Sequence, residues 1–161
     1  MNPKNLSAVK KNLKIFKSHL NNKQIYKIYN KFENNFNLKK NFIVAVSGGP
    51  DSLALAFCAK IYSIKNKLQP KFFLIDHKRR PESTQEAKAV KQLLKKYSIN
   101  IEILTWKGKK PSNNISSIAR KKRYELLFKK CDKFKIRNIL LGHHQDDLLE
   151  NFFIRILRGS G

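Results

Sequence analysis

The sequence predicts an α/β fold with a mainly parallel sheet and flanking helices, preceded by N-terminal helices. Three observations predict it. Strand-like segments recur at Phe42–Val46, Phe72–Ile75, Ile99–Trp106 and Ile136–Leu141, and the first is an apolar run without polar alternation, the pattern of a strand covered on both faces. Segments with helical spacing separate these runs, so strand and helix alternate along the chain. The length, 161 residues, suits one such domain and leaves little room for a second.

The elements follow in order. Leu6, Val9, Leu13, Phe16 and Leu20 form an apolar stripe at roughly helical spacing, and Ile25, Ile28 and Phe32 form another. Asn21-Asn22 makes the break between them. Residues 1–40 therefore form a helical extension and residues 41–161 the α/β domain. After the first strand, Leu53 to Ile64 reads as a helix. After the second, Ser83-Thr84-Gln85-Glu86 is a capping box that opens a helix through Ala87, Val90, Leu94 and Tyr97. Asn114 to Lys130 is a basic helix between the third and fourth strands. Asp146 to Leu157 is the last helix, with Gly159 placed to terminate it.

Charge narrows the partners. Lys and Arg number 35 against 11 Asp and Glu, a formal net charge of +24. A compact body so basic repels itself unless a polyanion is near, and nucleic acid is the obvious one. A general drift toward Lys, Asn and Ile would leave the same charge as a solvated surface, so composition alone leaves both open. Cys58 and Cys131 lie far apart with no Cys-x-x-Cys, which gives no zinc ribbon, cluster scaffold or redox pair. They read as small core hydrophobes in a reducing compartment. No apolar run is long enough to span a bilayer, and the lysine-rich N-terminus lacks an apolar signal core. The expectation is a cytoplasmic protein with no membrane partner.

Ligands of parallel α/β sheets bind at the carboxyl ends of strands, so the chemistry is expected just after residues 46, 75, 105 and 141. The first strand runs into Ser47-Gly48-Gly49-Pro50-Asp51-Ser52. Two glycines allow a tight turn and close approach to an anion, and the following helix N-terminus favours phosphate. Ser47 and Ser52 add hydroxyls. Asp51 would repel bare phosphate, so it fits beside Mg²⁺ or in the reacting site. The Gly-Lys-Ser/Thr ending of the Walker loop is missing. The second strand ends in Asp76-His77, on the ligand edge, where an ordinary turn before the helix is an equal alternative. Arg120 and Arg123 share a helix face, suited to phosphate or to plain solvation. The fourth strand leads into Gly142-His143-His144-Gln145-Asp146-Asp147-Leu148-Leu149-Glu150. Asp147 and Glu150, three apart, fall on one face of a first helical turn, an acidic pocket for Mg²⁺ or a cationic substrate. His143 and His144 are adjacent and cannot easily bind one metal ion together.

Ser47 to Ser52 resemble the pyrophosphate loop of the N-type ATP pyrophosphatases, which include the synthetases of GMP, NAD and argininosuccinate and several tRNA-modifying enzymes. Asp76-His77 with Arg80, the Ala119-Arg120 and Arg123-Tyr124 pairs, and the His143 to Glu150 run are similar to motifs of the tRNA(Ile)-lysidine synthetases. So is Arg158-Gly159-Ser160-Gly161. Lys78 departs from the Gly or Asn that commonly follows the His.

The resemblance implies an adenine-nucleotide alpha-hydrolase-like, Rossmann-like catalytic domain over residues 41–161, continued in the family by a further strand and helices. It implies ATP and Mg²⁺ as cofactors, and isoleucine tRNA and L-lysine as substrates. The implied reaction adenylates the C2 oxygen of the wobble cytidine, and the lysine amine then displaces AMP. By the same resemblance Ser47, Gly48, Gly49 and Ser52 hold pyrophosphate, Pro50, Asp76 and His77 join the ATP site, and His143 and His144 line the adenylate site. Asp51 binds Mg²⁺ or supports adenylation, Asp147 and Glu150 hold the lysine ammonium, and Arg120 and Arg158 face phosphate or tRNA. The alternatives are a catalytically inactive, basic tRNA-binding remnant and a tRNA-thiolating relative.

Overall fold

Period-two burial along the strands splits the sheet into two covered faces, and this is what organises the molecule. The computed structural model describes residues 14–76, 81–106, 108 and 115–142. Helix α1 (residues 14–20) and helix α2 (Lys23–Asn35) precede strand β1 (Ile43–Val46). Then come α3 (Pro50–Lys65), β2 (Lys71–Asp76), α4 (Ser83–Lys96), β3 (Ile101–Thr105), α5 (Ile115–Phe134) and β4 (Ile139–Leu141). The four strands form one sheet in the order β3-β2-β1-β4, and every neighbouring pair is parallel. Parallel strands require crossovers, and helices α3, α4 and α5 supply them.

On one face Phe42, Val44 and Val46 pack with Phe72, Leu74, Ile101 and residues of α3 and α4. On the other, Ile43 and Ala45 pack with Phe73, Leu104, Leu127 and Ile136 under α5. All of β1 is therefore buried, as its unbroken apolar run predicts, whereas β3 and β4 are edge strands and only partly covered. Phe32, Phe36 and Leu38 pack against the first core, and Phe16 and Tyr29 pack with Cys58 and Ile61 of α3. Tyr29 and Lys65 both donate to Glu33 Oε1, at 3.1 and 2.7 Å, which ties α2 to α3. Burial holds the Tyr29 hydroxyl well above its usual range.

Several boundaries differ from those predicted. Helix α3 starts at Pro50, three residues before Leu53, because Gly49 caps it and Pro50 suits a first helical position. Helix α4 begins at Ser83 with Glu82 as the preceding residue, so Ser83 stands in the first turn rather than at the cap. The predicted fourth strand loses Ile136–Asn138 to the turn after α5. Three helices end in the same way: Lys67, Ser98 and Lys135 take φ of 56, 52 and 54°. In each case the next N–H reaches back five residues, Leu68 to Ser63 O, Ile99 to Leu94 O and Ile136 to Cys131 O. These are Schellman endings without glycine. The stripe residues Leu6, Val9 and Leu13, and the helix predicted over Asp146–Leu157, lie outside the described residues.

Candidate functional site

Strand order decides where the ligand edge opens. From β1 the chain moves to β2 and then β3, and β4 returns to the far side of β1. The direction of winding thus reverses between β1 and β4, and the crevice of a doubly wound sheet lies at such a reversal. Two of the four predicted strand ends, after Val46 and after Leu141, meet there.

The loop from Ser47 to Ser52 is built around one hydroxyl. Ser52 is buried, and its Oγ accepts N–H bonds from Ser47 at 3.1 Å and Gly48 at 3.2 Å. It donates to Gly49 O at 2.9 Å and lies 3.1 Å from Ser47 Oγ. Gly48 has φ +92°, a conformation that an L side chain disfavours. A Cβ there would also press on Val90 of α4 at 3.3 Å. Gly49 then caps α3, Pro50 fills the first position, and Asp51 stands exposed in the first turn. The first-turn N–H groups of a helix lack intrahelical acceptors and attract anions.

Gly142 closes the site from β4. A Cβ on Gly142 would lie 2.9 Å from Ser52 Cα and 3.0 Å from Ser52 N, so the end of β4 rests directly on the first turn of α3. In the sequence Gly142 stands out only as the residue before His143-His144. A glycine ending an apolar strand at the ligand edge is the signal that could have marked this close approach.

Asp76 sits beside the loop. Val46 pairs with Leu74, so Asp76 and Gly48 each lie two residues beyond that pair. Its carboxylate is buried and accepts from Thr84 Oγ1 at 2.7 Å, and its carbonyl accepts from Trp106 N at 3.1 Å. Asp76 thus joins the ends of β2 and β3 to the first turn of α4. Arg120 is exposed on α5, while burial, with Arg120 nearby, pulls the half-buried Arg123 guanidinium below its ordinary range. Among the described residues the structure brings together Ser47 to Ser52 and Gly142, with Asp76 on the adjacent strand. His77, His143, His144, Asp147, Glu150 and Arg158 lie outside the described residues. So does Arg80. Among the described residues no group of three or more His, Cys, Asp or Glu could hold a metal ion. Asp51 instead fits the way Mg²⁺ is commonly held, by one or two carboxylates together with substrate phosphates and water.

Cys58 of α3 packs against α1 and α2, and Cys131 of α5 packs on the opposite face of the sheet. Burial pushes the Cys58 thiol up to about 11. Among the described residues no helix is long and apolar enough to cross a membrane.

A family model described as a PP-loop domain matches residues 18–161. A tRNA(Ile)-lysidine synthase of Orientia tsutsugamushi is 44% identical over 118 residues, 73% of this chain and 27% of that protein. The enzyme of that name from Rickettsia bellii is 36% identical over 141 residues, covering 83% and 33%. The one from Rhodopseudomonas palustris is 40% identical over 121 residues, covering 74% and 35%. The chain thus spans about a quarter to a third of the curated relatives it matches. Among solved structures, the U34-tRNA thiolase NcsA from Methanococcus maripaludis aligns with a TM-score of 0.72 at 18% identity, covering 84% of this chain and 50% of that one. At that identity the likeness is one of fold.

Proposed function

From the premise that the chain belongs to the PP-loop domain family, we propose that it carries the ATP-pyrophosphatase site of a lysidine-forming ligase. The observation that carries this reading is the loop from Ser47 to Ser52. It is braced by a buried hydroxyl and set at the winding reversal of the sheet, with α3 directed away from it. The sequence likeness to tRNA(Ile)-lysidine synthases supports isoleucine tRNA as the substrate in this reading.

In this reading the amino end of α3 receives the pyrophosphate portion of ATP, with Gly48 and Gly49 giving the close backbone approach. Ser52 keeps the loop in shape, and Ser47 lines it. Asp51, exposed at that helix end, is the carboxylate for Mg²⁺. The ion would neutralise phosphate charge. Asp76 and His77 belong to the adenylate side, and Asp76 acts through the β2–α4 junction that it fastens. His143, next after Gly142 in sequence, completes that side. Asp147 and Glu150 bind the ammonium of L-lysine, and Arg120 and Arg158 meet phosphate or tRNA. The C2 oxygen of the wobble cytidine of isoleucine tRNA displaces pyrophosphate from ATP, and the lysine amine then displaces AMP to give lysidine. The setting is the cytoplasm. A thiolating reaction based on a cysteine pair has less support, because Cys58 and Cys131 lie on opposite faces of the sheet.

ATP–pyrophosphate exchange, with and without unmodified isoleucine tRNA, tests the first step. Exchange that depends on this tRNA is expected, and its absence in a preparation carrying the remaining length of the relatives would defeat the proposal. Glu150→Gln separates the second step. It should raise the lysine requirement roughly tenfold to a hundredfold, the loss of a charge-assisted contact, with exchange nearly intact. Equal damage to exchange would move Glu150 to a metal site.

A further inference from the structure

The end of the sheet opposite the Ser47 loop carries a concave basic surface that the ATP site does not use. A cavity of about 540 Å³ opens there, lined by Lys40, Asn41, Phe134, Lys135, Arg137 and Asn138 among others. The cations come from separate stretches of chain. Lys40 lies just before β1, and Lys135 and Arg137 lie in the turn between α5 and β4. Lys71 at the start of β2 and Lys133 of α5 set their ammonium groups over the Phe134 ring, 5.1 and 5.8 Å from its centre. The fold therefore gathers five cations at the amino edge of β1, β2 and β4.

These cations differ from the neutralised ones elsewhere. Lys65, Lys122 and Lys130 each face a carboxylate, of Glu33, Glu125 and Glu102. Among the described residues no carboxylate pairs with Lys40, Lys135 or Arg137, and no Asp or Glu lines the cavity. Asp132, close in sequence, gives its backbone carbonyl to Lys135 N. Asn41 Oδ1 already accepts from Gln69 N at 2.8 Å, so its side chain is left to offer N–H donors. The surface is thus concave, rich in donors and without local counter-charge, which matches a phosphodiester backbone.

We infer that this groove is a second RNA contact, binding the sugar–phosphate backbone of the substrate tRNA at a point away from the reacting nucleotide. The inference deepens the tRNA reading above and rests on it for the identity of the RNA. The groove positions the RNA and reads no bases, since Lys and Arg contacts to phosphate carry no sequence information.

The test is fluorescence anisotropy of the full chain with labelled, unmodified isoleucine tRNA and with an unrelated RNA hairpin, across a salt series. The groove variant combines Lys40→Gln, Lys135→Gln and Arg137→Gln. A control of equal charge loss combines Lys88→Gln, Lys91→Gln and Lys95→Gln, exposed lysines of α4. Lys40→Glu alone, at an exposed site, serves if the triple variant melts early. The groove triple should bind both RNAs roughly tenfold or more weakly, and its slope of log affinity against log salt should shrink by about 2. The control should lose less than about threefold.

Equal losses in the two triples would overturn the groove and leave only diffuse charge. Failure of the parent chain to bind either RNA would also overturn it. So would loss of binding to phosphatidylglycerol vesicles with RNA binding unchanged, which assigns the surface to an anionic membrane. The exchange assay keeps the two proposals apart. Exchange stimulated by tRNA with groove variants that bind normally removes the groove alone. Weakened RNA binding without any exchange removes the adenylation reading alone.

Discussion

Ser52 and Asp51 are neighbours with separable duties. The Ser52 hydroxyl accepts from two backbone N–H groups and donates to Gly49 O. Ser52→Ala strands those groups inside a buried turn, at a cost of roughly 1–3 kcal/mol. Asp51 is exposed in the first turn of α3, where the helix dipole favours a carboxylate by about 0.3–1 kcal/mol. The expected outcome is a contrast. Ser52→Ala lowers both the melting temperature and pyrophosphate exchange, whereas Asp51→Ala abolishes exchange and leaves melting nearly unchanged. Exchange retained by a folded Asp51→Ala protein would remove Asp51 from the reacting site. Gly142 supplies a second test. Its added methyl group would press on the Ser52 backbone at 2.9 Å, and backbone cannot swing aside as a side chain can. Gly142→Ala should therefore cost about 1–3 kcal/mol as an overpacking substitution, read by thermal denaturation. An unchanged melting point would show that β4 does not rest on α3 so closely. The loop itself was legible in the sequence because glycine spacing and serine placement carry its geometry. The use of the Ser52 hydroxyl was not, because a serine in sequence does not say whether it faces a ligand or its own loop.

At the scale of elements, strands were easier to read than helix ends. The run Phe42–Val46 is buried on both faces, and its unbroken apolar pattern already implies this. Just beyond helices α3, α4 and α5, residues Lys67, Ser98 and Lys135 take left-handed conformations, where glycine is the usual residue. Without glycine to mark the turn, Ile136 reads as the first residue of a strand, although it is the apolar residue that completes the cap of α5. The same pattern makes a stability prediction. A non-glycine residue in the left-handed region costs about 1–2 kcal/mol, partly offset by the greater freedom glycine has in the unfolded chain. Lys67→Gly and Lys135→Gly should each stabilise by about 0.5–1 kcal/mol, or roughly 1–4 °C in a domain of this size. Destabilisation by both substitutions would mean that their side chains contribute more than the strain they bear.

The whole molecule is governed by its charge of +24. The strand order that joins β1 and β4 is set by the pairing of distant segments and left no local mark in the sequence. The charge, by contrast, was legible at once, though not its distribution. Self-repulsion destabilises the compact state, and salt screens it over about 10 Å at 0.1 M. Raising salt should therefore raise the melting temperature of the chain alone. With RNA bound the sign reverses. A ligand at about 100 times its dissociation constant stabilises by roughly 2.7 kcal/mol, equivalent to about 5–10 °C here. That gain depends on released counterions, and for a protein making six to ten phosphate contacts affinity falls by about 10³–10⁵ between 50 and 200 mM salt. Melting curves taken across this range, with and without a fixed excess of tRNA, should converge from opposite directions, rising without RNA and falling with it. If both rise together, RNA binding does not draw on phosphate contacts, and the excess of positive charge would then be only a solvated surface.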